Sequence, residues 1–171
     1  MKPSVFIVIF IVLLKGPLFA QVTGARLQAS GLTCALCAKS IFTNLSALSF
    51  VDSVDTDLEA AAFLIKFKRD KDVDPELLRK KVEDAGFFVS QLTLEMILHQ
   101  QSLTNDVEVV SSGSTYQFVG VKSGTADGIL KVQLIDKGFL SAKEHKKLAS
   151  GAKQDQDQDF YSSVFRVRVI K

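Results

Sequence analysis

At 171 residues the chain is long enough for one or two domains. Apolar residues make up 47% and charged residues 23%, which excludes a disordered polyelectrolyte and calls for a folded core. The formal net charge is +2, and two of the 21 basic residues, Lys2 and Lys15, fall in the first twenty positions; the remainder carries 19 basic against 19 acidic residues, so no nucleic-acid surface is expected.

Taken in order, the chain starts with Met1-Lys2, an unbroken apolar run of ten at 5–14, and the helix breakers Gly16 and Pro17. Residues 1–20 read as a signal peptide with Ala20 at the cut, although Leu18 is larger than the residue usual two positions before it. A bilayer-spanning helix needs about twenty apolar residues. No stable membrane span is therefore expected after signal cleavage, and an uncleaved anchor is the lesser alternative. The mature protein is expected to be periplasmic or secreted.

The next segments alternate between strand and helix patterns. Residues 25–30 place Arg26, Gln28 and Ser30 opposite Leu27 and Ala29, a strand with one buried face. Gly31-Leu32-Thr33-Cys34-Ala35-Leu36-Cys37 follows, holding both cysteines of the protein. Leu36, Ala38, Ile41, Leu45 and Leu48 then predict an amphipathic helix over 35–48. A polar strand at 50–58, a tight connection at Glu59-Ala60 and an apolar strand at 61–68 come next. Asp74 as cap, Pro75 at the first helical position and Glu76 open a second helix, with Leu77, Leu78, Val82 and Ala85 as its apolar face and Gly86 as terminator. A strand at 87–95 closes the series. The order strand-helix-strand-strand-helix-strand predicts an α+β, ferredoxin-like βαββαβ domain over 22–95.

Beyond it, 96–106 reads as a linker; Met96 and His99 fall in a segment (94–103) open to a short helix, where their simplest role is packing or solvation. Strands are expected at 107–110, 115–121, 129–135 and 161–170, with turns at 111–114 and 124–128 and a Ser141-capped helix at 142–149. The Gln/Asp alternation at 154–159 lacks the glycine and terminal Glu of a calcium loop and reads as solvated; His145, among lysines and a glutamate, reads as an exposed helix face. Residues 107–171 are thus expected to form a small mainly-β domain, with a partial barrel as one arrangement, of no recognisable function.

Two cysteines in an exported chain often mean a disulfide. Spaced as Cys34 and Cys37 they close a very small loop, which constrains the unfolded chain little, so metal or reversible redox chemistry is the better use of the pair. Soft ions such as Cu(I) and Hg(II) accept two thiolates, whereas a closed zinc site wants four ligands and no His or carboxylate stands nearby at ligand spacing. Placed in the first turn of the helix, Cys37 would have its thiolate favoured by free N–H groups and the helix dipole. A thioredoxin-like redox pair is the alternative, but about a dozen residues before Cys34 are too few for the βαβ unit that fold puts around its motif.

The run from Gly31 to Cys37, followed by Ile41, the two central strands and Ala85-Gly86-Phe87, resembles the heavy-metal-associated domain over residues 24–95. That family includes copper chaperones, N-terminal domains of metal-pumping ATPases and the periplasmic mercury-binding protein of mercury-resistance operons. Leu32 stands where the family usually has Met; in the family that side chain packs under the loop, so the site should be preserved. The resemblance implies a surface-exposed loop binding Cu(I), or Hg(II) or another soft metal, through Cys34 and Cys37, and transfer by ligand exchange to or from a donor or acceptor protein in the envelope. It implies no catalysis. A redox-active pair, or an envelope interaction protein with a degenerate site, remains open.

Overall fold

The computed structural model describes residues 20–32, 34–141, 144, 146 and 164–170. The expected signal segment up to residue 19, nearly all of the 142–149 helix with His145, and the 154–159 run lie outside the described residues. Ser141 does act as a helix cap, its Oγ accepting from the Glu144 amide at 3.4 Å.

β1 (Gln21–Ser30), α1 (Ala35–Ser46), β2 (Val51–Asp57), β3 (Ala62–Phe67), α2 (Pro75–Glu83) and β4 (Phe88–Leu103) give the expected βαββαβ order. β1 lies between β3 and β4, antiparallel to both, with Leu27 opposite Phe63 on one side and Leu92 on the other. Strand alternation sets the core: Leu27, Phe63, Ile65, Leu92 and Leu94 are all buried on the helix-covered face. α1 contributes Ala38, Ile41 and Leu45, and α2 contributes Pro75, Leu78 and Val82. The α2 start follows the sequence signals, the Asp74 carboxylate accepting from the Glu76 amide at 2.9 Å with Pro75 next. Gly86, at φ +85°, turns the chain out of the helix into β4. Two expected core positions are corrected: Leu36 is 80% exposed and Leu77 is 41% exposed, each lying at the margin of its helix's apolar stripe.

The larger correction concerns 96–106. β4 does not stop at Glu95; it continues to Leu103, so most of the expected linker is strand, and Met96 and His99 are strand residues rather than helical ones. Its first part pairs with β1 and its second part, from Thr93, pairs antiparallel with β7 (Gly124–Leu134). The glycines at 124 and 128, expected to mark a turn, lie within β7: Gly124 opens the strand opposite Leu103, and Gly128 stands opposite Leu98, at the edge of a bulge between Leu98 and Gln101. Gly128 takes φ +93° there, a conformation glycine adopts without strain. β5 (Glu108–Ser111), β6 (Ser114–Phe118) and β8 (Val164–Ile170) extend the same sheet, in the order β2-β3-β1-β4-β7-β8-β6-β5. β6 and β8 run parallel, Tyr116 beside Phe165.

The far end of this sheet curls back toward its middle. Ala20, just before β1, forms a parallel bridge with Ser111 of β5, and the Val22 amide donates to the Ser112 hydroxyl at 3.0 Å. The β5–β6 turn is also tied to the connector before α2, the Val73 amide donating to the Ser112 carbonyl at 2.8 Å and the Ser114 hydroxyl to the Val73 carbonyl at 3.0 Å. The mainly-β segment is therefore built on β1 and β4 of the ferredoxin-like unit and shares its core, which runs from Ile41 and Leu45 through Met96 and Leu98 to Tyr116, Phe139 and Val167.

Candidate metal centre

The site sits where β1 ends. Gly31, at φ +79°, turns the chain off the strand, and the loop delivers Cys34 to the cap position of α1. Cys34 has extended backbone geometry (φ −141°, ψ 150°), and its Sγ accepts from the Cys37 amide at 3.1 Å, the bond a serine or aspartate makes at a usual cap. Cys37 therefore lies in the first helical turn, as expected, and no acidic residue shares that turn to offset the positive end of the dipole. Cys34 is exposed and Cys37 half-buried. Their Cα atoms are 5.3 Å apart and the two sulfurs are joined in a disulfide. The structure thus brings the two predicted residues together, in the oxidised state. As a dithiol the same arrangement offers two soft donors on one exposed edge.

Leu32 is half-buried and packs against the core, the place expected for a side chain that supports the loop from beneath. Leu58, in the β2–β3 turn, joins Leu32, Cys34 and Ala35 around a pocket of about 150 Å³. Leu58 is 57% exposed, and Leu36, between the two cysteines, and Phe88, the first residue of β4, are exposed as well. The Ser30 hydroxyl donates to the Phe88 carbonyl at 3.2 Å, fixing the start of β4 beside the loop. Phe87 packs against the core and contributes no ligand atom. Sequence reasoning missed the contribution of Leu58; the available signal was a large apolar residue flanked by Asp57 and Glu59 in the turn.

Asp57 holds that turn. Its carboxylate accepts from the Ala60 amide at 3.0 Å and from Arg26 of β1 at 3.4 Å. The Ala60 hydrogen bond, with the Arg26 guanidinium helping, keeps the Asp57 carboxyl below its ordinary value.

Met96 and His99 do not reach the site. Ser30, at the loop end of β1, pairs with Phe88, whereas Met96 pairs with Val22 at the opposite end. Met96 lies eight steps along the strand from Phe88, about 26 Å at the usual rise. Met96 is also wholly buried. Among the described residues no three or more His, Cys, Asp or Glu side chains converge as a metal cluster. Cys34 and Cys37 are the two soft side-chain donors that the loop brings together.

A βαββαβ sheet with a Cys-x-x-Cys pair at its first strand-to-helix junction defines a ferredoxin-like cysteine-pair domain. Residues 26–88 match the family model of the heavy-metal-associated domain, and that stretch of the chain is such a domain. Among curated proteins, a probable copper-exporting P-type ATPase of Archaeoglobus fulgidus is 29% identical over 97 residues, 57% of this chain and 11% of that protein, so the chain spans about a tenth of the relative it matches. Among solved structures, the yeast copper transporter domain Ccc2a, determined in apo and Cu(I)-loaded states, is 28% identical with a TM-score of 0.35, over 38% of this chain and 88% of that domain. The CopZ metallochaperone is 25% identical with the same TM-score, over 37% and 94%. The family match ends at Phe88, the first residue of β4, leaving residues 89–171 outside it.

Proposed function

We propose that this protein is an exported, non-catalytic carrier or buffer of Cu(I), which it holds through the thiolates of Cys34 and Cys37 and passes to a partner protein by ligand exchange. The observation that carries the reading is the placement of the pair: two sulfurs on an exposed loop-to-helix edge, one of them in an acid-free first helical turn. Two thiolates suit a soft monovalent ion, and the lack of a third converging ligand among the described residues leaves room for an incoming donor. Exchange then proceeds through an intermediate in which a partner's thiolate joins before one of the two cysteines leaves. The relatives' copper association supports the choice of metal; Hg(II) satisfies the same softness. The apolar rim of Leu36, Leu58 and Phe88 is the face on which a partner would approach. Export rests on the character of residues 1–20.

One observation favours a second reading. The sulfurs are bonded to each other, so a redox-active disulfide is the competing role for the same pair. Competition of the fully reduced protein with a colorimetric Cu(I) chelator tests the two, with the Cys34→Ser, Cys37→Ser double variant alongside. One retained equivalent that disappears in the variant supports the carrier; failure of the reduced protein to compete overturns it.

A further inference from the structure

We infer that the Ala20–Gln21 bond is open to hydrolysis only before β1 joins the sheet. The chain therefore crosses the membrane unfolded, is cut, folds, and takes up its metal outside. This order of events rests on the export and carrier readings above.

The double use of one segment carries the inference. Ala20 is the residue expected at the cut, and it is also part of the fold: it is 8% exposed and forms a parallel bridge with Ser111. Val22 is 1% exposed, and its amide donates to the Ser112 hydroxyl at 3.0 Å. Along the opposite edge of the same segment, Gln21 pairs with Ile97 and Val22 with Met96 of β4. An extended peptide is read by adding it as a strand, through its main-chain groups, to a partner's edge. Around Ala20–Gln21 both edges are already taken. Reaching the bond means peeling β1 away from β4 and from the β5–β6 turn, and β1 is the strand that both halves of the molecule share.

Hydrolysis adds one water across the amide, leaving a carboxylate on Ala20 and an ammonium on Gln21. The fold accommodates that product. The ammonium arises beside a pocket of about 350 Å³ whose lining includes Gln21, Asp70, Lys71, Asp72 and Ser112, two acidic residues against one basic. Val22 does not depend on Ala20 for its hydrogen bond to Ser112, so the clamp on β5–β6 outlasts the cut.

The order also fixes where the metal is met. Cys34 caps α1, and α1 is held by Ile41 and Leu45, buried in the core that β1 builds. A chain kept unfolded through the membrane has no such cap and no such first turn. The site is thus assembled after export, and its metal donor acts on the outer side.

The test uses the full 171-residue chain in mild detergent with a signal peptidase, comparing the parent with Leu27→Asp. That substitution sets a charge at a wholly buried position of β1 and leaves residues 1–26 unchanged. Near-ultraviolet tyrosine dichroism separates folded parent from unfolded variant, and N-terminal sequencing locates the cut. Cleavage after Ala20 should be at least about a hundredfold slower in the folded parent, because it waits for local opening. Equal rates overturn the inference; a variant that is never cut after Ala20 overturns the export reading instead. In a second arm, exporting cells are grown with a membrane-impermeant Cu(I) chelator, at a level that does not strip purified loaded protein. The exported protein should then be recovered without copper, and copper at the level found without chelator overturns loading outside. If the reduced protein holds no Cu(I) in vitro while the cleavage difference stands, the carrier reading falls and the order of cutting and folding is upheld.

Discussion

Leu98→Ala tests whether the chain is one cooperative unit built around β4. Leu98 is wholly buried, follows Leu92, Leu94 and Met96 on the same strand face, and lies opposite Gly128 of β7. Removing three buried carbons loses about 2.4 kcal/mol of transfer free energy at roughly 0.8 kcal/mol each, and the unfilled space beside a glycine adds to it. The expected destabilisation is about 3 kcal/mol in urea unfolding at neutral pH. Ile129, opposite Ile97 on β7 but 69% exposed, provides the control, and Ile129→Ala should cost under about 0.5 kcal/mol. Ellipticity at 222 nm follows α1 and α2, while near-ultraviolet tyrosine dichroism follows Tyr116, packed against Phe165 with ring centres 5.9 Å apart. Both probes should report one midpoint and the same downward shift in Leu98→Ala. A loss below about 1 kcal/mol, or two separate midpoints in the parent protein, would refute a shared core and restore residues 96–106 to a linker.

Other substitutions probe the loop and the clamp. Cys34→Ser keeps an acceptor at the α1 cap and should leave the reduced protein's stability nearly unchanged, whereas Cys34→Ala should cost about 1 kcal/mol by thermal or urea unfolding; both should abolish tight Cu(I) retention. Gly113→Ala forces a side chain to φ +79° and sets its Cβ about 2.6 Å from Asp72 Cγ, so it should destabilise by about 2 kcal/mol, with Asp72→Gly, which also removes the Asp72 Cβ at 2.8 Å, recovering the steric part only in the double variant. The folded-state Asp57 carboxyl is lowered, so its contribution is present above the unfolded carboxylate value and is lost as pH falls through the folded one. Asp57→Asn should therefore lower the melting temperature near neutrality, and its difference from the parent should shrink toward zero as the pH is taken to about 3; a difference that persists unchanged at acid pH would remove the ionic explanation.

The ferredoxin-like half was legible because its signals are local and agree with one another. Leu27 and Ala29 alternate, Asp74-Pro75-Glu76 starts α2, and Gly86 stops it. The cysteine pair was legible for the same reason, since a cap position and first turn follow directly from where α1 begins. The continuation of β4 was not. Residues 99–102, His99-Gln100-Gln101-Ser102, are polar because a bulge and solvent exposure interrupt the buried alternation there, and polarity in a run reads as a connector until the pairing with β7 is known. The same bulge accounts for Gly128 of β7, which with Gly124 at the start of that strand mimics a turn in sequence. Leu36 and Leu77 show the limit of helical periodicity, which identifies an apolar stripe but not how wide a strip the sheet covers.

The most direct test of a two-thiolate carrier is X-ray absorption at the copper edge of the reduced protein loaded with one equivalent of Cu(I) in the absence of added thiols. The account predicts a copper environment of two sulfur scatterers with no nitrogen or oxygen, and loss of that signature when either Cys34 or Cys37 is replaced by serine. A shell containing histidine nitrogen, or a two-sulfur shell that survives either substitution, would contradict it.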